Sequence, residues 1–287
     1  MISKQQLSGL NPACRTSRDL LVFTDLDGTL LDHDSYSYAA ALPALAALRE
    51  AGIPLILASS KTRAEIRSLA SKLDLAYPFI VENGAGVVVP DTCFSALDGP
   101  SRDGVRLHAF GPPLASILAT LHQLRDESGV HFIGFSEMDD DEVMRRTGLS
   151  RTAAGQARAR EFCEPIAWQD DEASWPAFAA RLQAAGLYSL RGGRFIHIMS
   201  GGDKGAALAW LRDQYVEERG RPACTLALGD SDNDVAMLAR ADIPVVVRST
   251  AHVPPAEAYR QNWHITERAG PAGWNDIVLA IVRIMDQ

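Results

Sequence analysis

The chain has 287 residues, 47% of them hydrophobic, and a formal net charge of -8. That length and apolar fraction suffice for a substantial core in one large or two moderate domains. The acidic balance excludes a general binder of nucleic acid or anionic membrane, which needs a basic surface, although an anion site needs only a few local cations. Met1 to Arg18 is polar and carries no apolar run suited to a signal peptide or spanning helix. Cys14, Cys93, Cys163 and Cys224 are scattered, without CxxC pairs or metal-ligand spacing, so the expectation is a soluble protein of a reducing cytoplasm.

The first element is Leu20 to Thr24, an apolar run too short for a helix that ends in Asp25-Leu26-Asp27-Gly28-Thr29. Continuous apolarity bounded by turn residues predicts a strand buried on both faces, as in a parallel sheet. Asp25 then stands at the carboxyl end of that strand, where open α/β sheets bind ligands. Asp27 shares its side of the pleat if the strand geometry persists. Asp-Gly is also an ordinary turn signal. Two acids at a strand tip repel unless a cation holds them ionised, and magnesium is the hard, oxygen-seeking candidate.

Further along, Leu42, Leu45 and Leu48 have helical spacing, with Pro43 in the first turn and Gly52 as the stop. Ile53 to Ala58 reads as a strand, Thr62 with Glu65 as a capping box for a helix to about Leu73, and Phe79 to Val81 as a third strand. Repeated β-loop-α predicts a Rossmann-like, doubly wound parallel sheet. From about Val87 the rhythm becomes irregular. A helix is expected from Leu114, a strand over Glu161 to Trp168, a helix from Trp175 to Gly186 and a strand over Phe195 to Met199. This block, 89–198, is read as an α+β cap inserted into a core formed by 18–88 and 199–287. The regular rhythm returns at Asp203-Lys204, followed by a strand Thr225 to Leu228 that ends in Gly229-Asp230-Ser231-Asp232-Asn233-Asp234, another over Ile243 to Val247, and a helix from Trp274 to Met285.

A parallel sheet gathers its strand ends on one edge, so Asp25, Asp27, Ser59, Lys204, Asp230 and Asp234 can converge. That set suits phosphoryl transfer. Asp25 would attack phosphorus and Asp27 would serve as general acid and then base. Asp25, the Asp27 carbonyl and Asp230 would hold Mg²⁺, with Asn233 and Asp234 orienting the ion and the lysine from behind. Ser59 would hold phosphate oxygens, and Lys204 would offset the charge that spreads in the transition state.

These four stretches resemble the motifs of the haloacid dehalogenase superfamily, in its magnesium-dependent phosphatase branch with a large α+β cap between the second and third motifs. A narrower resemblance, to mannosyl-3-phosphoglycerate phosphatases, lies in Thr24 to Tyr36, Ser59-Ser60-Lys61-Thr62-Arg63-Ala64-Glu65, Phe79 to Gly84, Gly192 to His197 and Ala269 to Asn275. General sugar phosphatases of the branch usually have Thr-Gly-Arg where this chain has Ser59-Ser60-Lys61. The resemblance implies hydrolysis of a phosphate ester to release mannosylglycerate, a compatible solute. Such a substrate carries a phosphate and a carboxylate, and Lys61, Arg63 and Arg194 are spare cations beside the expected site. His197, Glu82 and Asn83 are candidates for sugar or glycerate oxygens. A broad sugar-phosphate phosphatase, a phosphomutase and a non-catalytic phosphosugar sensor are the alternatives. The arginine run between Arg145 and Arg160 follows the acidic stretch Glu137 to Glu142 and reads as a solvated helical face rather than a nucleic-acid contact.

Overall fold

The computed structural model describes residues 12–192 and 194–286. The polar residues before Pro12, and Gly193 of the Gly192 to His197 stretch, lie outside the described residues. β1 (Leu20–Thr24) is buried along its whole length, as its unbroken apolarity demands. A 3₁₀ turn at Ala39–Ala41 leads into α1 (Leu42–Glu50), with Pro43 in the first turn, where no intrahelical donor is needed. Then come β2 (Leu55–Leu57), α2 (Arg63–Lys72) and β3 (Phe79–Val81). The capping box forms as the sequence predicts: Thr62 Oγ1 accepts from the Glu65 amide, and Glu65 Oε2 accepts from the Thr62 amide.

Beyond β3 the chain turns through Glu82–Gly84 into β4 (Gly86–Pro90), a two-residue β5 (Ser101–Arg102) and β6 (Val105–Ala109). The next segment contains α3 (Leu114–Ser128), β7 (Phe132–Gly134), α4 (Asp140–Thr147), α5 (Arg151–Arg158), β8 (Cys163–Trp168), α6 (Trp175–Ala184), β9 (Tyr188–Arg191) and β10 (Ile196–Met199). The chain closes with α7 (Lys204–Arg219), β11 (Cys224–Gly229), α8 (Val235–Arg240), β12 (Ile243–Arg248), α9 (Ala256–Arg260), β13 (His264–Ala269) and α10 (Gly270–Met285).

The central sheet runs β13-β12-β11-β1-β2, all parallel. Its two faces carry separate apolar clusters, one including Trp274 and Ile281 of α10, the other Leu208 and Leu211 of α7. The doubly wound core with an inserted α+β cap is therefore present. β3 departs from the expected simple repetition. It touches β2 only through a parallel bridge, Ala58 to Ile80, and on its other edge pairs antiparallel with β4, which continues to β6 and β5. Residues 86–109 are thus tied to β3. A distinct antiparallel sheet, β7-β8-β10-β9, has its own apolar cluster built on Ile117, Phe178 and Ile198.

Three further contacts were not legible from spacing. Cys14 and Cys224, 210 residues apart, are joined by a disulfide with their Cα atoms 4.9 Å apart, a pairing that their scattered spacing and the expected reducing compartment did not signal; Cys93 and Cys163 are free. In the Ala269 to Asn275 stretch, the buried Trp274 Nε1 donates to Thr24 Oγ1 at 3.0 Å, and Asn275 Oδ1 accepts from the Ala44 amide at 3.0 Å. This stretch clamps α10 beneath the end of β1. Among the described residues no helix is long and apolar enough to cross a membrane.

Candidate active site

The register of β1 against β11 builds the site. Thr24 stands opposite Leu228, and the Asp25 amide donates to the Leu228 carbonyl at 2.8 Å. Both strands therefore stop at the same level, leaving Asp25 beside Asp230. Gly28 closes the turn with φ +80°; a Cβ there would lie 2.6 Å from Asp230 Oδ2, so the turn admits only glycine at this approach. Thr29 Oγ1 donates to Asp230 Oδ1 at 3.4 Å.

Asp203 caps α7 by accepting from the Ala206 amide at 2.7 Å, which places Lys204 in the first turn facing the strand ends. Lys204 is fully buried, and its Nζ lies 2.6 Å from both Asp25 Oδ1 and Asp234 Oδ1. Burial alone would lower the lysine pKa, but Asp234 and Asp25 outweigh it and hold the ammonium charged. The other oxygen of Asp234 accepts from the amides of Asp230 (3.0 Å) and Ser231 (3.3 Å). Asp234 is thus committed to the lysine and to its own loop.

Asp25, Asp230 and Asp234 offer oxygens that all lie within 4.8 Å of one another. Desolvation pushes the Asp25 carboxyl well above its ordinary value, against the pull of Lys204, and the neighbouring acids add to the rise. Desolvation and then Asp234 push Asp230 up to about 7. Asp27 Oδ1 is buried with no partner. Four carboxyl groups meet two lysines here, an imbalance that a hard divalent cation corrects, and the all-oxygen donor set fits Mg²⁺.

The remaining predicted residues fall into three groups. A cavity of about 600 Å³ is lined by Asp25, Asp27, Asn83, Arg194, His197, Asp230 and Asn233, together with other groups considered below. Lys61 reaches Asp27 Oδ2 at 2.6 Å and is tied to that acid rather than standing free; burial would lower its pKa, but Asp27 and Glu65 raise it. Arg194 Nη1 donates to the carbonyls of Arg146 (2.9 Å) and Thr147 (2.8 Å), holding the end of α4. Asn83 accepts from Asn233 Nδ2 at 3.3 Å, and the buried Ser59 accepts from the Lys61 amide at 3.3 Å. His197 Nδ1 contacts Cys163 Sγ at 3.3 Å, and burial with the nearby Arg160 drives the imidazole pKa down to about 3.

Arg63 and Glu82 are placed elsewhere. Arg63 pairs with Glu161 at 3.1 Å in a separate cleft between α2 and the end of α5. Glu82 is fully buried and accepts from the amides of Glu161 (2.8 Å) and Phe162 (3.0 Å), the entry to β8. Burial raises its pKa, with Arg160 and those amides opposing. Residue type alone suggested sugar contacts for Glu82, whereas both of its oxygens hold backbone. Conversely, His33, Arg191 and His252 line the cavity without a sequence signal, and Tyr36 and Ser231 line it from quoted stretches without an assigned role, because no local pattern marks a residue as a cavity wall.

The parallel sheet, the inserted antiparallel cap and the acid-lysine cluster at the strand ends define a haloacid dehalogenase-like hydrolase. A family model of that description matches residues 22–98, and one described as sucrose-6F-phosphate phosphohydrolase matches residues 176–269. Solved structures of the same fold include a haloacid dehalogenase-like hydrolase from Bacteroides thetaiotaomicron (TM-score 0.63, 18% identity, covering 92% of this chain and 98% of that one) and a subclass IIB sugar phosphatase of the superfamily (TM-score 0.61, 17% identity, 93% and 99%). The chain is 38% identical over 265 residues to a glucosyl-3-phosphoglycerate/mannosyl-3-phosphoglycerate phosphatase of Methanococcoides burtonii, covering 91% of this chain and 97% of that one. It belongs to that phosphatase family within the haloacid dehalogenase superfamily, and is an enzyme of the phosphoric monoester hydrolase type.

Proposed function

We propose that the chain is a magnesium-dependent phosphatase that hydrolyses mannosyl-3-phosphoglycerate or glucosyl-3-phosphoglycerate through an aspartyl-phosphate. The observation that carries this reading is the buried Lys204 bridge between Asp25 and Asp234, set beneath a cavity that also contains Asp27 and Asp230. Asp25 is the nucleophile: its attack on phosphorus forms the acyl phosphate as the glycosylglycerate oxygen departs. Asp27 gives that oxygen a proton, then takes one from the water that attacks the phosphoenzyme and regenerates Asp25. Lys204 spreads its charge over Asp25 and the phosphoryl oxygens, while Ser59 and nearby amides hold the phosphate. Asp25, Asp230 and the Asp27 carbonyl would hold Mg²⁺, which supplies charge neutralisation at the phosphoryl oxygens.

The inserted segment expected over 89–198 acts as the cap. Its closing part is the α3–β10 layer, since residues 86–109 are pinned to β3. His197 stays neutral and serves as a hydrogen-bonding group rather than a cation. Asp25→Asn removes the nucleophile, and kcat falls by about four orders of magnitude or more while the fold is kept, as followed by phosphate release and circular dichroism. Wild-type turnover in that variant would refute the assignment. A panel of phosphoesters tests the substrate. Equal kcat/KM for simple hexose phosphates and for the glycosyl phosphoglycerates would instead support a broad sugar-phosphate phosphatase, a reading favoured by the sucrose-phosphate phosphohydrolase match.

A further inference from the structure

The loop after the first acid motif holds an aromatic residue in an unusual state. Tyr36 has φ +55° and is 53% exposed. A bulky side chain in the left-handed region is strained. The surrounding loop enforces it: the Tyr36 amide donates to the Asp32 carbonyl at 3.0 Å, the Asp32 amide donates to the Ser37 carbonyl at 2.9 Å, and Asp32 Oδ1 accepts from the Ser35 amide (2.9 Å) and hydroxyl (2.6 Å). The Lys61 ammonium near the ring offsets part of this strain, but about half of the residue is still exposed to solvent. Glycine or asparagine would suit this position better for stability alone.

The ring is also specifically placed. It lines the cavity above Asp25, and Lys61 Nζ lies 5.5 Å from its centroid while bonding Asp27 Oδ2 at 2.6 Å. Tyr36 is therefore one lysine away from the acid that would protonate the leaving oxygen, on the leaving-group side of the site. Acids, arginines, histidines and amides dominate the rest of the described wall; Tyr36 is its one phenol or larger aromatic ring, and Leu190 of β9 supplies apolar surface from the cap. Glycerate has two hydroxyls. With phosphate on one, the sugar occupies the other, roughly 4 Å from the leaving oxygen at ordinary bond lengths. A pyranose presents a C–H face that packs on an aromatic ring and hydroxyls that bond the polar groups around it.

We propose that Tyr36 is the sugar-reading surface of this enzyme, its ring packing against the C–H face of the glycosyl unit in the leaving group. This rests on the glycosyl-phosphoglycerate reading above, and makes Tyr36 a specificity residue that discriminates a glycosylated from a bare phosphoglycerate. The backbone strain is kept because the ring has a ligand to meet.

Steady-state kinetics on mannosyl- and glucosyl-3-phosphoglycerate, with 3-phosphoglycerate as competitive inhibitor, tests this in Tyr36→Ala, Tyr36→Asn and Tyr36→Phe. Ala and Asn should lose about tenfold in kcat/KM through KM, with kcat kept, because the lost contact is equal in ground and transition states. The inhibition constant of 3-phosphoglycerate should stay within about twofold, since it has no sugar to lose. Phe should keep at least half of the wild-type kcat/KM, and the Asn variant should melt no lower than wild type because it relieves the strain. Unchanged kcat/KM in Ala and Asn overturns the proposal, as does an equal weakening of 3-phosphoglycerate or a Phe variant as poor as Ala. A wild-type enzyme that cleaves neither glycosyl ester overturns the substrate reading and the sugar surface together. Wild-type cleavage with indifferent Tyr36 variants overturns the sugar surface alone.

Discussion

The floor of the site and its mouth are built by opposite physics. On the floor, Lys204 is fully buried between Asp25 and Asp234, and Asp234 is further tied to the Asp230 and Ser231 amides. At the mouth, Lys61 is partly exposed, Arg194 is exposed on a cap loop, and Tyr36 projects from a strained turn. Buried charges are tolerable only when fully paired, so the floor admits one arrangement and little change. Charges at the mouth are screened and replaceable, so they can be exchanged with a substrate as it enters. Under the proposed mechanism the floor supplies chemistry common to many esters, and the mouth supplies choice among them.

The sharpest way to break this contrast is to remove the central cation. Lys204→Ala leaves Asp25 and Asp234 facing each other without water. It should cost about 3–5 kcal/mol in urea unfolding, as expected for a broken buried pair, and abolish turnover. A stability change under 1 kcal/mol would mean that the floor is less closed than its geometry implies.

The floor should also show in the pH dependence of the metal-free protein. Asp230, raised by burial and by Asp234 to about 7, is more readily protonated folded than unfolded. Its contribution is thus present below the ordinary carboxylate value and is lost as pH rises through about 7. Metal-free protein should lose stability from pH 5 to 7.5 more steeply than the Asp230→Asn variant. Added Mg²⁺ should remove that slope in wild type and do less in the variant. Parallel slopes for the two proteins would contradict this account.

Glu82 sharpens the comparison from the side, because it links the two regions. Its two oxygens hold the entry to β8, while the adjacent Asn83 is bonded to Asn233 of the acid loop. Replacing one oxygen by a donor in Glu82→Gln sets it against a backbone amide and should cost about 1–3 kcal/mol. KM should rise more than kcat falls, since cap placement suffers before the floor does. The smallest effect is expected at Arg63, which pairs with Glu161 outside the main cavity. Arg63→Ala should change kcat/KM by less than about threefold and stability by less than about 1 kcal/mol; a large loss would return Arg63 to the substrate.

The chain by itself determined the acid-lysine floor. Asp25, Lys204 and Asp230 were legible because short apolar runs ending in acids, and a capped helix opening on a lysine, announce strand ends and helix starts through local pattern alone. A parallel sheet then has to bring those ends to one edge. The capping box at Thr62 and the helix opening at Pro43 were legible for the same reason, since both are satisfied by neighbours in sequence. Tertiary structure alone decided the antiparallel hairpin on β3, the joining of Cys14 to Cys224, and the jobs of Lys61, Arg63 and Glu82. Each of those depends on a partner distant in the chain, and a side chain's type does not reveal which backbone amide or opposite charge will reach it first.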